Sequence, residues 1–255
     1  MPPTGIIGMI HLPPLPGAPG WSGGMDPILD RARSDARALA EGGVDAVLVE
    51  NFGDTPFQKT VPPATVASMT AAVGAVREVT DLPVGVNVLR NDAAAALAVA
   101  AATGARFIRV NVHTGGMFTD QGWIEGAAAD TIRLRERSAP AVAIVADVLV
   151  KHATPPPGLT LEAAATDAVH RGRADALVVS GEATGAPTRL DDVRAVKAVV
   201  NVPVLVGSGA RPEMVAELLA AADGVIVGSA LMEGGRAGGP VDPDRVRQLV
   251  EAAGR

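Results

Sequence analysis

The sequence lacks cysteine and has no long apolar run, and these two absences narrow the classes of protein that it can encode. Without cysteine, the chain has no disulfide bonds and no thiolate ligands for a metal. The longest apolar stretches, Ala93–Ala102 and Ala139–Ala146, are shorter than the roughly 20 residues that a membrane-spanning helix needs. Met1–Leu12 also lacks the charged start and long apolar centre of a signal peptide. We therefore expect no membrane span and a cytoplasmic location.

Positive charge is also scarce. The net charge is −6 and the isoelectric point is about 5.2, which disfavours binding to nucleic acid because that binding needs a basic surface. An acidic chain can still hold an anionic ligand in a local pocket. Hydrophobic residues make up 48% of the chain and the mean hydropathy is +0.26, so we expect a globular fold.

Short apolar runs recur through the chain, each ending in a polar residue or a glycine and each followed by a helix-like stretch. The eight runs are Gly5–His11, Val44–Asn51, Pro83–Leu89, Ala105–His113, Ala141–Asp147, Ala174–Ser180, Pro203–Gly207 and Gly224–Gly228. They are rich in Val, Ile and Ala with little polar alternation, which is typical of parallel strands covered on both faces. Proline follows aspartate at residues 26–27 and 242–243, and this pair marks the start of a helix.

The alternation of strand and helix signals predicts one domain, residues 1–255, folded as a closed parallel (βα)8 TIM barrel. A doubly wound open sheet is the alternative. Eight strand–helix units with no leftover elements favour closure.

Polar residues lie almost entirely at the C-terminal ends of the runs, and a closed parallel barrel brings those ends to one face, which carries the chemistry. Alternation along the fourth run predicts that Arg109, Asn111 and His113 point into the barrel, with His113 nearest the mouth. A buried arginine needs a carboxylate partner, and Glu50 and Asp147 are available.

Residues at or just past these ends are the candidates for catalysis and substrate binding. The catalytic candidates are Glu50, Asn87, Asn111, His113, Asp147 and Lys151. The substrate-binding candidates are His11, Arg109, His152, Ser180, Thr184, Phe52, Phe118 and Trp123. The chain has only three lysines, and Lys151 could hold an anion, donate a proton, form a Schiff base or make an exposed salt bridge.

Three long loops, His11–Met25, Phe52–Pro63 and Thr114–Ile124, contain five of the six aromatic residues. Long, glycine-bearing loops on an active face often act as lids. Their aromatic side chains either pack the loops together or form a stacking wall for a planar or sugar-like ligand.

Glycine-rich segments follow the last two runs, where barrels that bind phosphate hold the anion with backbone N–H groups and a short helix. The predicted phosphate-binding residues are Gly207, Ser208, Gly209, Gly228 and Ser229. Residues 231–233 are the candidate short helix. The loop at residues 180–185 is a third, less specific anion site.

No cofactor is predicted. A divalent metal is an alternative, because His11, Glu50, His113, Asp147 and His152 could supply ligands, although none is spaced as a local metal motif.

Six stretches carry a resemblance to a known family: Met9-Ile-His-Leu-Pro-Pro-Leu-Pro-Gly17, Glu50-Asn-Phe-Gly-Asp54, Val86-Asn-Val-Leu-Arg90, Arg109-Val-Asn-Val-His-Thr-Gly-Gly116, Ala146-Asp-Val-Leu-Val-Lys-His152 and Ser180-Gly-Glu-Ala-Thr-Gly185. On these motifs the chain resembles the BtpA/SgcQ family over nearly its whole length. The resemblance implies a TIM-barrel fold. It implies less about function, because one branch is linked to photosystem I biogenesis in cyanobacteria and another is described as a nucleosidase or sugar-operon protein.

The leading hypothesis is an enzyme for a phosphorylated sugar or nucleoside-like substrate, with cleavage of a glycosidic C–N bond as its most concrete form. Asp147 would activate water or stabilise an oxocarbenium-like transition state, and Glu50 or His113 would protonate the leaving group. A sugar-phosphate lyase, aldolase or isomerase that uses Lys151 is the second hypothesis. A non-enzymatic assembly factor or ligand sensor is the third. We also expect a homo-oligomer.

Overall fold

The computed structural model describes residues 1–181 and 188–255, which form eleven strands and eight α-helices. The strands, in chain order, are β1 (Gly5–His11), β2 (Ala46–Glu50), β3 (Val84–Asn87), β4 (Phe107–Val110), β5 (Gly116–Thr119), β6 (Gly122–Glu125), β7 (Ala143–Val148), β8 (Ala153–Thr154), β9 (Ala176–Val179), β10 (Val204–Val206) and β11 (Gly224–Val227). The helices are α1 (Asp26–Glu41), α2 (Pro63–Arg77), α3 (Ala93–Thr103), α4 (Ala128–Ser138), α5 (Leu161–Thr166), α6 (Leu190–Val199), α7 (Pro212–Ala221) and α8 (Pro243–Ala252).

Eight strands close into a barrel in the order β1-β11-β10-β9-β7-β4-β3-β2. Every neighbouring pair in it is parallel. The predicted fold class, a single-domain closed TIM barrel, is therefore confirmed. The C-terminal ends of all eight strands share one face because the strands run in one direction.

The inside of the barrel is filled by apolar side chains at alternate strand positions, including Ile7, Leu48, Phe107 and Leu205. Phe107 is the largest of them and is almost fully buried. Its ring occupies the space beside Gly85, where a Cβ atom would lie 2.2 Å from the ring. The lower barrel is therefore a packed core, and a ligand can enter only at the mouth.

The outer faces of the strands pack against the helices in a second and larger apolar cluster. Helix starts follow the expected chemistry in α8, where Asp242 accepts hydrogen bonds from the backbone N–H groups of Asp244 and Arg245. In α1, Met25 takes the cap position, and Asp26 lies in the first turn. No helix of the described residues combines the length and apolar character needed to cross a membrane.

The expectation of no leftover elements is wrong. Strands β5, β6 and β8 form a separate three-stranded antiparallel sheet, so the predicted loop at residues 114–124 is largely a hairpin. The helix expected at residues 231–233 is replaced by two 3-10 turns, Ser229–Leu231 and Glu233–Gly235. A π-helix, Asp167–Arg171, continues α5.

Replacement of Gly85 by alanine should destabilise the protein by about 1–3 kcal/mol, because the new methyl group would overlap the buried Phe107 ring. Urea denaturation followed by circular dichroism would measure the change. Gly74→Ala is the matched control, because nothing lies within 4 Å of its Cβ position and alanine is favoured over glycine by about 1 kcal/mol inside a helix. Equal unfolding midpoints for the two variants would contradict this packing.

Candidate active site

Four polar residues stand side by side at the end of the first four strands. The strand register pairs His11 with Glu50, Glu50 with Asn87, and Asn87 with Arg109. His11, Glu50 and Arg109 each lie two residues beyond an inward apolar residue of the same strand, and Asn87 lies two beyond the inward Gly85, so all four point into the barrel interior near the mouth. The predicted convergence of strand-end polar residues is observed for these four.

An ion pair inside the barrel joins Arg109 to Asp147. Nε of Arg109 donates to Oδ1 at 2.9 Å, and Nη2 donates to Oδ2 at 3.0 Å. The Asp147 side chain has no exposed area and that of Arg109 only 4%. Burial opposes the charge on Arg109, but the adjacent Asp147 carboxylate outweighs it and holds the pKa of the guanidinium above its ordinary value.

Two asparagines extend this pair. Nδ2 of Asn111 donates to Oδ2 of Asp147 at 2.9 Å, and Nδ2 of Asn87 donates to Oδ1 of Asn111 at 3.2 Å. Asp147 therefore accepts three hydrogen bonds, and its side chain has no exposed area that a substrate could contact. Its role is to hold Arg109 and Asn111 in position.

Glu50 is a carboxyl group with a different environment. It is buried, and burial raises its pKa above the ordinary value, although Arg109 and Lys151 oppose the shift. Asp147 adds to the rise by like-charge repulsion. The two carboxyl groups therefore differ in their surroundings: Asp147 is bonded to the Arg109 guanidinium, whereas burial raises the pKa of Glu50.

His11 is held as a neutral imidazole. Burial, followed by repulsion from Lys151, Arg31 and Arg109, lowers its pKa from 6.5 to about 3. Nδ1 accepts a hydrogen bond from the backbone N–H of Gly238 at 3.0 Å, so the proton of the neutral ring lies on Nε2.

Nε2 of His11 lies 3.7 Å from Oε1 of Glu50, which makes this a contact with a neutral donor and not an ion pair. The ring of Phe52 stacks on the imidazole with centroids 4.2 Å apart and the planes at 11°. This stacking and the Gly238 bond fix the orientation of His11 towards Glu50.

A cavity of about 1060 Å³ opens above these residues. The predicted site residues that line it are His11, Glu50, Phe52, Arg109, Asn111, Lys151, His152, Gly207, Ser208, Gly209, Gly228 and Ser229. All five predicted phosphate-binding residues are among them. Gly207 is required for close approach, because a Cβ atom there would lie 2.4 Å from Oγ of Ser180.

Ser208 is partly engaged within the protein. Its hydroxyl accepts a hydrogen bond from the Gly181 N–H at 3.0 Å, and its carbonyl accepts one from the Thr188 hydroxyl at 3.1 Å. The glycine loop after β10 is thereby tied to the loop after β9.

The cavity is also lined by charged residues that the sequence analysis did not identify as site residues: Arg90, Asp120, Arg211, Glu213, Asp242, Asp244 and Arg245. Arg90 lies three residues beyond the end of β3 and is buried, and its Nη2 donates to the carbonyl of Lys151 at 2.9 Å. Arg211 directly follows the glycine loop at 207–210. A cation beside such a loop is a sequence signal for an anion-binding residue. Asp120 depends on the hairpin turn, which no sequence pattern had indicated.

Several predicted site residues lie elsewhere. His113 was expected nearest the mouth, but β4 ends at Val110 and the chain turns, so Nε2 of His113 contacts the Gly172 carbonyl at 2.7 Å. Phe118 and Trp123 lie on the β5–β6 hairpin, packed edge to face and exposed, and they do not line the cavity.

Three other candidate residues, Asn87, Asp147 and Ser180, also do not line the cavity. Asn87 and Asp147 are enclosed by the network around Arg109, and Oγ of Ser180 is buried against Gly207. Thr184 lies outside the described residues. Within the described part of the chain, no three His, Asp or Glu side chains converge to hold a metal ion.

These features define a TIM-barrel protein with a polar cavity at the C-terminal face of its strands. The barrel superposes on tryptophan synthase from Mycobacterium tuberculosis with a TM-score of 0.64 at 22% identity, covering 98% of this chain and 92% of that one. The TM-score is 0.60 at 18% identity for (S)-3-O-geranylgeranylglyceryl phosphate synthase from Thermoplasma acidophilum in complex with sn-glycerol-1-phosphate, covering 98% and 93%. Both likenesses show the fold alone.

The chain belongs to the BtpA family, whose model matches residues 3–255. It is 49% identical to the photosystem I biogenesis protein BtpA of Synechocystis over 249 residues, which cover 97% of this chain and 87% of that protein. The resemblance to this family that the sequence motifs indicated is confirmed.

Asp147→Asn should cost about 3–5 kcal/mol of stability, because it removes one partner of a buried ion pair and leaves the Arg109 charge uncompensated. Thermal or urea unfolding would measure the loss. Arg194→Gln, which breaks an exposed ion pair with Asp191, is the control and should change stability little. A small change in stability for Asp147→Asn would mean that the buried charge of Arg109 does not need the Asp147 carboxylate as its partner.

The neutral state of His11 predicts a specific pH dependence. Its pKa in the folded state, about 3, lies below the unfolded value of 6.5, so the unfolded chain binds more protons between these limits. The stability that His11 contributes is fully present above pH 6.5 and declines as the pH falls towards 3.

Between pH 6.5 and pH 4, the free energy of unfolding should therefore fall less for His11→Asn than for the wild type. Urea denaturation of both proteins at each pH would measure the two free energies. Parallel curves for the two proteins would show that His11 titrates normally.

Proposed function

We propose that this protein is an enzyme that transfers protons on a small phosphorylated sugar-like substrate with a carbonyl group. The observation that carries the proposal is Glu50, a buried carboxyl group with a raised pKa that faces a cavity also lined by the two glycine loops. A carboxyl group whose pKa is moved towards neutrality is suited to general acid–base catalysis.

The charge of the site favours carbonyl chemistry over glycosidic cleavage. The cations that act on Glu50 are Arg90, Arg109 and Lys151, whereas Asp147 is the carboxylate that acts on it. The immediate surroundings of Glu50 are therefore richer in positive charge than the rest of the cavity, which Asp120, Glu213, Asp242 and Asp244 also line. Such a site stabilises an enediolate or alkoxide and disfavours an oxocarbenium ion.

In this reaction each group of the site would have a role. The loops at 207–210 and 228–230, with Arg211 beside them, would hold the phosphate. Arg109, fixed by Asp147, would bind the carbonyl oxygen as negative charge develops on it. Glu50 would move the proton, and the neutral Nε2–H of His11 would donate to the same oxygen or to Glu50. Asp147 is poorly placed to stabilise an oxocarbenium ion, because its oxygens accept hydrogen bonds from Arg109 and Asn111.

Glu50→Gln should slow this chemistry strongly while the barrel stays folded. A panel of phosphorylated aldoses and ketoses is incubated with the protein in D2O, and deuterium incorporation next to the carbonyl is followed by NMR. The wild type should exchange at least one member, and Glu50→Gln should be slower by about 10²–10⁴-fold. Glu78→Gln, an exposed carboxylate paired with Arg33, is the matched control and should exchange as the wild type does.

Absence of exchange with every member, or equal rates for Glu50→Gln and wild type, would contradict the proposal. A parallel panel of nucleosides and nucleotides tests glycosidic cleavage. Release of free base that depends on Glu50 would support that reaction instead.

A second candidate function is a role in the biogenesis of another protein complex. The supporting observation is the 49% identity to a protein named for photosystem I biogenesis. In a Synechocystis strain that lacks that relative, this chain and its Glu50→Gln variant would be compared for recovery of photosystem I. Recovery by both proteins would support a non-enzymatic role, and recovery by neither would remove it.

A further inference from the structure

Lys151 differs from the other two lysines of the chain in its surroundings. Nζ of Lys59 donates to the Trp123 carbonyl at 2.8 Å, and Nζ of Lys197 donates to Oδ1 of Asp223 at 2.9 Å. Lys151 lines the cavity, and its ammonium group has no hydrogen-bond acceptor among the described residues. The proposed proton transfer requires Glu50 and Arg109 and leaves this amine without a role.

The backbone on both sides of Lys151 adopts a conformation that side chains rarely tolerate. Leu149 has φ of +49° and His152 has φ of +57°, although neither is glycine. The carbonyl of Lys151 is held by Nη2 of Arg90 at 2.9 Å. Such conformations persist only where the surrounding structure imposes them, and they concentrate at functional sites. The fold thus fixes the segment that directs Lys151 to the cavity.

The charge around Lys151 also favours a reactive amine. Burial and the neighbouring Arg109 lower the pKa of the ammonium group, although Glu50 and Asp147 oppose the shift. A lysine that is desolvated beside other cations is a nucleophile because more of it is present as the free amine.

We propose that Lys151 forms a Schiff base with the carbonyl carbon of a phosphorylated aldehyde or ketone held by the glycine loops. This rests on the proposed function for the identity of the substrate class. The free amine adds to the carbonyl carbon to give a carbinolamine. Glu50, in its protonated form, gives its proton to the carbinolamine hydroxyl, water leaves, and the nitrogen lone pair forms the C=N bond of a protonated imine. Hydrolysis reverses these steps.

The resulting cation is next to the carbon that loses a proton or a neighbouring fragment, so it can accept the electron pair of the broken bond. This role differs from purely electrostatic binding by Lys151, which an arginine would retain. The site would then serve cleavage or rearrangement of a carbon chain as well as simple proton exchange.

The test uses pyridoxal 5′-phosphate, a phosphorylated aldehyde that reacts with accessible lysine amines, followed by borohydride reduction and peptide mass spectrometry. Lys151 should be labelled about tenfold or more faster than Lys59 and Lys197, which serve as controls within the same chain. Inorganic phosphate should slow labelling at Lys151 alone, and pyridoxal without its phosphate should react there more slowly. Labelling of Lys151 no faster than the other two lysines would overturn the proposal.

A second experiment traps the phosphorylated sugars of the exchange panel with borohydride on the wild type and on Lys151→Arg, which keeps the positive charge. A reduced adduct should form at Lys151 in the wild type, and none should form in the variant. If exchange depends on Glu50 but no adduct forms with any sugar, the proton-transfer function stands and the Schiff base is wrong. If adducts form at Lys151 but exchange does not depend on Glu50, the assignment of Glu50 is wrong instead.

Discussion

The buried ion pair between Arg109 and Asp147 is the interaction on which the candidate site depends. A guanidinium group cannot remain inside a barrel without a bonded carboxylate, and Asp147 meets this need with both oxygens. Because Asp147 is bonded to Arg109 in this way, it is not in position to contact a substrate directly. It also orients Arg109 and, through Asn111, the polar layer that separates the packed barrel core from the cavity.

Once Asp147 is occupied, Glu50 is left as the carboxyl group that lines the cavity beside Arg109 and Lys151. Burial favours its protonated form, and the neutral His11 beside it adds no positive charge to counter that preference. The different environments therefore suit the two carboxyl groups to different roles: Asp147 is the fixed counter-ion of Arg109, and Glu50 is the group suited to exchange a proton. In the proposed reaction, the excess of cations that act on Glu50 would favour a transition state that develops negative charge.

The sequence predicted the barrel well, because the spacing of apolar runs follows directly from parallel strands that are buried on both faces. It also predicted which strand ends converge and that Arg109 pairs with a carboxylate, since alternation along a strand fixes the direction of each side chain. The rule still held for Asn111 but failed at His113, because β4 ends at Val110 and the chain turns, so His113 contacts the Gly172 carbonyl.

Loop residues were the least predictable part of the site. The hairpin that carries Phe118 and Trp123 depends on antiparallel pairing with β8, a long-range contact that local composition does not reveal. Arg90 reaches the cavity from outside a strand, so strand periodicity gave no signal for it. The proposed chemistry depends on a raised pKa of the Glu50 carboxyl group at the cavity. Its carboxyl ¹³C resonance, assigned by comparison with Glu50→Gln, should titrate well above the ordinary pKa of 4.5. Titration at or below 4.5 would contradict the account.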